Sequence, residues 1–199
     1  MRFLLELLCE EIPVLEQQRF TKEMPALFDA MLTKARIGHS EPYTHTTPRR
    51  LTIVCDDLEA TKRSLEEEIS GPPENISFKD GEPTKAALVF AKKVGLSIEE
   101  LHRIEKGGRT YLAAWNREEG KRTVDVLAAL LPDLIAKIPF RKSMRWGDNA
   151  YAFSRPLKSI LALLGDEEIS FSTHGVTSGR ELYGHRFHHP DSVSLEHAD

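Results

Sequence analysis

Two cysteines in 199 residues are too few for a disulfide framework or a cysteine-built zinc site. Both, Cys9 and Cys55, stand in apolar, strand-like runs, which suits buried free thiols in a reducing compartment. No hydrophobic run approaches the roughly 18 residues that a membrane span requires. Glu6 interrupts the apolar opening, and Glu10-Glu11 stand where a signal-peptide cleavage site needs small residues. Excess positive charge is lacking too. Lys and Arg number 27 against 31 Asp and Glu, a net charge of −4, which excludes a uniformly basic nucleic-acid binder and leaves room for a basic face. Aromatics make up only 8% of the chain, so any cluster of them carries information. The chain has no Gly-x-x-x-x-Gly-Lys-[Ser/Thr] phosphate loop, no Gly-x-Gly-x-x-Gly turn, no Gly-x-Ser-x-Gly elbow and no His-Glu-x-x-His pair.

What is present is enough apolar sequence, 40% of residues, to bury a core without staples. Leu4 to Cys9 has the density of a buried strand. Val14, Leu15, Phe20, Leu27, Phe28, Met31, Leu32 and Ala35 follow helical spacing up to Gly38. Pro25 lacks the amide an interior turn uses, so the pattern predicts a kink or restart near Thr21. Arg50 to Leu58 is β-branched and predicts a strand. Gly71-Pro72-Pro73 predicts a hard break, and Asp80-Gly81 a turn. Thr84 to Val94 predicts a helix closed by Gly95, and Ser97-x-x-Glu100 a capping box. Gly107-Gly108 between two β-rich runs predicts a hairpin. Thr123 is placed to cap a helix reaching Ile138 despite Pro132, and Leu157 to Thr173 predicts a second hairpin about Gly165-Asp166, with a helical first arm as the alternative. The expected class is α+β, with mixed or antiparallel sheets and packed helices in two small subdomains. The segments are an α+β part at 1–70, a helical and hairpin insert at 71–120, and a basic α+β part at 121–199 that stops inside a further element.

Charge is not spread evenly. Lys137, Arg141, Lys142, Arg145, Arg155 and Lys158 face only Asp148 within residues 137–158, a net +5 that leaves −9 elsewhere. Phe140, Trp146, Tyr151 and Phe153 alternate with these cations. Guanidinium groups bind phosphate bidentately and exposed aromatics stack on unpaired bases, although the same residues also suit a solvated loop with buried aromatics. Arg49-Arg50 suits either a phosphate clamp or a salt bridge, and Arg180, His185 and Arg186 beside Gly179 and Gly184 suit a third phosphate-contacting turn. Glu10-Glu11 at a strand end suits a helix cap or arginine pair, or else a general base or a metal site. His185, His188 and His189 lack an acidic partner at helical spacing, so they make no metal set.

Particular strings carry further. The run from Leu4-Leu5-Glu6 to Glu10-Glu11-Ile12-Pro13, then Thr47-Pro48-Arg49-Arg50-Leu51, Gly71-Pro72 and Pro83-Thr84-Lys85-Ala86-Ala87 with Phe90-Ala91 and Gly95, appear in order. They are followed by Ile138-Pro139-Phe140-Arg141-Lys142-Ser143-Met144-Arg145-Trp146-Gly147, Phe153-Ser154-Arg155-Pro156, Leu163-Leu164-Gly165-Asp166 and Gly184-His185-Arg186-Phe187. Across nearly the whole chain this series resembles the amino-terminal part of the β subunit of two-subunit bacterial glycyl-tRNA synthetase. Leu8-Cys9 departs from the Gly-Thr more frequent in that family. The resemblance implies a cytoplasmic, heterotetrameric, ATP-dependent glycine–tRNA ligase in which an α subunit carries catalysis and uses ATP and Mg, while this chain binds no cofactor or metal and has no catalytic residue. Its implied partners are the α subunit and tRNA(Gly), with no membrane and no DNA. The expected tRNA contacts are Arg49, Arg50, Arg141, Lys142, Arg145, Trp146, Arg155 and Arg186. Two alternatives remain: an editing-type hydrolase using Glu10, Glu11 and nearby histidines, or a scaffold touching only protein.

Overall fold

The computed structural model describes residues 1–79, 81–146, 151–185, 187–189 and 191–199. In chain order the elements are β1 (Phe3–Cys9), α1 (Val14–Lys34), β2 (Tyr43–Thr47), β3 (Arg50–Cys55), β4 (Leu65–Pro73), the single turn α2 (Glu74–Ser77), β5 (Phe78–Lys79), β6 (Glu82–Pro83) and α3 (Lys85–Val94). After a 3-10 turn at Ile98–Glu100 come β7 (His102–Lys106), β8 (Arg109–Glu118), α4 (Thr123–Ala136), β9 (Leu157–Leu164), β10 (Glu167–Glu168), β11 (Ser172–Thr173), β12 (Val176–Gly179), β13 (Glu181–Tyr183) and β14 (Ser192–Ser194). The class is α+β, with antiparallel and mixed sheets. No helix among the described residues is long and apolar enough to cross a membrane. The chain divides into two compact units, residues 1–63 with 121–199, and residues 64–120.

The larger unit is built on a sheet of order β11-β12-β9-β1-β3-β2, with β10 folding back on β9. β1 is the central strand, antiparallel to β3 on one side and to β9 on the other. Side chains alternate across a strand, so Phe3, Leu5, Leu7 and Cys9 share one face, and all four are buried. They meet Phe20, Met24, Phe28 and Leu32 of α1 and Leu127, Leu131, Leu134 and Ile135 of α4 in one core. Leu4, Leu161 and Leu163 pack on the opposite face against Leu182, Leu195 and Ala198. Both cysteines are buried free thiols, and burial raises the Cys9 thiol to about 12.

Three local expectations are corrected. α1 does not restart near Thr21: it runs unbroken through Pro25. Phe20, Met24, Phe28 and Leu32 form a stripe at four-residue spacing that is fully buried, and this packing outweighs the one hydrogen bond that proline forfeits. The Thr21 hydroxyl donates to the Gln17 carbonyl at 3.1 Å instead of capping anything. Thr123 likewise caps no helix. Its side chain is fully buried, its hydroxyl donates to the Glu59 carbonyl and its amide to Ala60 at 2.8 Å, tying the start of α4 to the preceding loop.

The third correction lies in the smaller unit, whose sheet has the order β4-β8-β7. Gly71-Pro72-Pro73 ends strand β4 and breaks nothing, because β4 is an edge strand and the register shifts between Ser70 and Pro73. Proline is tolerated on an edge or at a bulge, where its missing amide costs no ladder bond. A Cβ on Gly71 would lie 2.6 Å from the Phe90 ring, so only glycine lets α3 seat Phe90 there, beside Ala87, Leu112 and Ala114. The Gly107-Gly108 hairpin, the Gly95 stop at φ 73° and the Ser97–Glu100 capping box form as their sequences dictate.

Candidate nucleic-acid interface

The densest cationic stretch follows α4. Ile138 and Phe140 enter the core, and the Phe140 ring meets Phe153 edge-on at 4.8 Å. Met144 and Phe153 exchange backbone hydrogen bonds of 2.8 and 3.0 Å. The backbone amide of Arg141 donates to Glu16 Oε2 at 3.0 Å, and Glu16 is only 6% exposed. With both ends of this stretch pinned, Arg141, Lys142 and Arg145 point outward as a ridge. All three are exposed, and none makes an ion pair with another described residue. Trp146 is half-buried against the core, and Tyr151 is 52% exposed.

The other expected contacts are spread over different surroundings. Arg50 pairs with Glu6 across the outer face of the sheet and donates to the carbonyls of Tyr183 and Gly184. Arg49 lies 3.6 Å from Glu10, which also pairs with Lys158. Arg155 is half-buried and donates to the Ser154 carbonyl at 2.9 Å. Arg180 reaches the carbonyls of Asp166 and Leu195 at 3.1 and 3.3 Å and Glu168 at 3.6 Å. Arg186 lies outside the described residues. Arg49 and Arg50 line an open cleft of 560 Å³ with Glu11, Tyr183, His185 and Phe187. The structure thus gathers Arg141, Lys142 and Arg145 on one ridge, and Arg49 with Arg50 at a separate cleft where acids and carbonyls hold them.

Two participants had no sequence signal. Glu16 looks like one more acid on a solvated helix, and only the packing of α1 reveals it as a buried anchor. His174 sits in an ordinary Thr-His-Gly turn, yet it is 2% exposed and adopts a left-handed φ of 54°. Its ring contacts Tyr151 at 4.9 Å and Phe153 at 5.4 Å between centroids and lies parallel to Trp146 at 6.4 Å. Burial pushes its pKa below the ordinary imidazole value, with a backbone interaction to Ala152 opposing. Protons then bind the unfolded chain more readily than the native one, so stability is expected to fall as the pH drops below about 6.5. Urea titrations of the wild type and of His174→Asn, a residue that tolerates the left-handed region, should show this acid-side loss only in the wild type.

Among the described residues, no group of three His, Cys, Asp or Glu side chains is placed to hold a metal ion.

Comparison with known proteins places the sequence of this α+β chain among the aminoacyl-tRNA synthetases. More particularly, the chain belongs to the family described as glycyl-tRNA synthetase beta subunit, whose model matches residues 3–199. It is 41% identical over 97% of its length to the glycine–tRNA ligase beta subunit of Desulfatibacillum aliphaticivorans. It is 36% identical over 99% of its length to that of Oleidesulfovibrio alaskensis, and 39% identical over 96% to that of Syntrophus aciditrophicus. In each case it spans 28% of the relative's own length.

Proposed function

We propose that this chain is the part of a cytoplasmic glycine–tRNA ligase that grips tRNA(Gly) through the Arg141–Arg145 ridge. In this reading it also contacts the catalytic α subunit in a heterotetramer. ATP and Mg are handled by α, and this chain lowers the entropic cost of transfer by holding the acceptor arm in place. The observation that carries the reading is the ridge itself: three exposed cations with no ion-pair partner among the described residues, on a backbone pinned by Glu16 and Phe153. Elsewhere the chain is acidic, which repels a polyanion and orients it on the ridge. Arg49, Arg50 and Arg155 have internal partners and are secondary contacts. Arg186 joins them on the strength of family resemblance alone. The hydrolase alternative is less well supported, because Arg49 and Lys158 hold the Glu10 carboxylate in ion pairs.

Binding of tRNA(Gly) to the full-length protein across a salt series tests the reading. Arg141→Ala with Arg145→Ala is expected to weaken binding by about 1–3 kcal/mol. It should also flatten the log-affinity against log-salt slope by roughly one unit for each phosphate no longer neutralised. An unchanged slope in a folded double variant would move the function to a protein-only scaffold.

A further inference from the structure

A pocket of 370 Å³ beside the ridge is lined by Phe140, Ser143, Tyr151, Phe153 and His174. His174 Nδ1 meets Thr173 Oγ1 at 2.9 Å, whereas its buried Nε2 has no hydrogen-bond partner among the described residues, the Ala152 backbone interaction being weaker than a full hydrogen bond. Leaving a buried polar atom unpaired is costly, so an orphan ring nitrogen in a pocket wall points to a partner that arrives with a ligand. Phe140, Phe153 and Tyr151 supply aromatic faces, Ile135 and Ile138 complete the apolar lining, and Tyr151 is exposed. Arg141 and Lys142, both exposed, directly precede the pocket-lining Ser143 in the chain.

We infer that this pocket receives one unstacked base of the bound RNA, its ring against Tyr151, its polar edge on His174 Nε2 and its flanking phosphates on Arg141 and Lys142. The inference rests on the proposed tRNA contact of the ridge. Three requirements select a base. The ligand must be flat to lie against the aromatic walls, must carry a hydrogen-bonding edge to satisfy the imidazole, and must bring an anion for the cations. An aliphatic or phenylalanine side chain from a partner protein meets at most the first. Unpaired bases in loops and at ends are recognised by this combination of stacking and edge hydrogen bonds. The pocket volume lies within the roughly 300–1,000 Å³ of small-molecule sites. Burial favours the neutral form of His174, in which Nε2 is a donor in one tautomer and an acceptor in the other, and base edges offer complements to both.

Tyr151→Ala is the decisive variant, since Tyr151 is exposed and belongs to no core cluster. In full-length protein it is expected to weaken tRNA(Gly) binding about tenfold, on the scale of one base–aromatic stack, with the salt slope unchanged because stacking releases no counterions. Tyr151→Phe should restore wild-type affinity. Unchanged affinity in Tyr151→Ala, beside a flattened slope in Arg141→Ala with Arg145→Ala, would overturn the base pocket and leave the tRNA contact standing. Unchanged behaviour in both would overturn both. Loss of subunit association without loss of RNA affinity in Tyr151→Ala would show a protein side chain in the pocket and overturn the inference.

Discussion

Phe28→Ala is expected to destabilise the larger unit by about 3–5 kcal/mol, near the upper end of single-residue effects. Phe28 is completely buried and stacks on Phe3 of the central strand, with centroids 4.9 Å apart and planes 23° apart. Truncation removes the apolar area and the ring pair together. It also leaves a void between α1 and the sheet that neither element can close. β1 is fixed by hydrogen bonds to strands on both sides, and α1 by Phe20, Met24 and Leu32 in the same core. The neighbouring Leu27, 39% exposed on the outer side of the same turn, is the control: Leu27→Ala should cost under about 1 kcal/mol. Equilibrium urea unfolding checks both, with a lower midpoint and an unchanged slope expected for Phe28→Ala.

Arg50→Ala is expected to cost about 2–4 kcal/mol, less than a fully sealed ion pair because both partners keep some contact with water. The arginine does two things on the outer face of the sheet. It neutralises Glu6, whose side chain is only 15% exposed, and it holds the carbonyls of Tyr183 and Gly184 against the sheet. Burial raises the Glu6 carboxyl above 4.5 even with Arg50 opposing the shift. Without Arg50 the native pKa rises further. A native pKa above the unfolded value favours folding at low pH, and the benefit is lost as the pH climbs through the native value. The Arg50→Ala penalty should therefore shrink on acidification from neutral toward about pH 4.5. Glu6→Gln added to Arg50→Ala should recover much of the loss at neutral pH, the coupling expected when a stranded charge is removed. Additive effects of the two substitutions would show that Arg50 acts mainly through the carbonyls.

These two sites differ in how far the sequence reveals them. The apolar density of Leu4 to Cys9 marks β1 as buried, and Phe20, Phe28 and Leu32 lie on the helical spacing visible in the sequence; Met24 completes the buried stripe, whereas Val14, Leu15 and Leu27 on the same pattern are exposed. The pairing of Glu6 with Arg50, forty-four residues away, has no such signature. It follows from the antiparallel register that sets Leu8 opposite Arg50 and Glu6 opposite Thr52. The same holds for α1, where Pro25 predicts a kink or restart near Thr21 and only packing against distant elements explains its continuity.

The candidate interface divides the same way. Composition along the chain shows that cations and aromatics concentrate in residues 137–158, and the ordered strings from Leu4 to Phe187 mark the family. Periodicity and local turn chemistry likewise determine the Gly107-Gly108 hairpin, the Gly95 helix stop and the Ser97–Glu100 box, because each is settled within a few residues. Only the tertiary structure decides that Arg141, Lys142 and Arg145 are exposed while Arg50 is held by Glu6 and two carbonyls, that Glu16 is a buried anchor and that His174 lies among aromatic rings. Each depends on partners distant in sequence, and the free energy of a charge or an imidazole is fixed by what surrounds it in space.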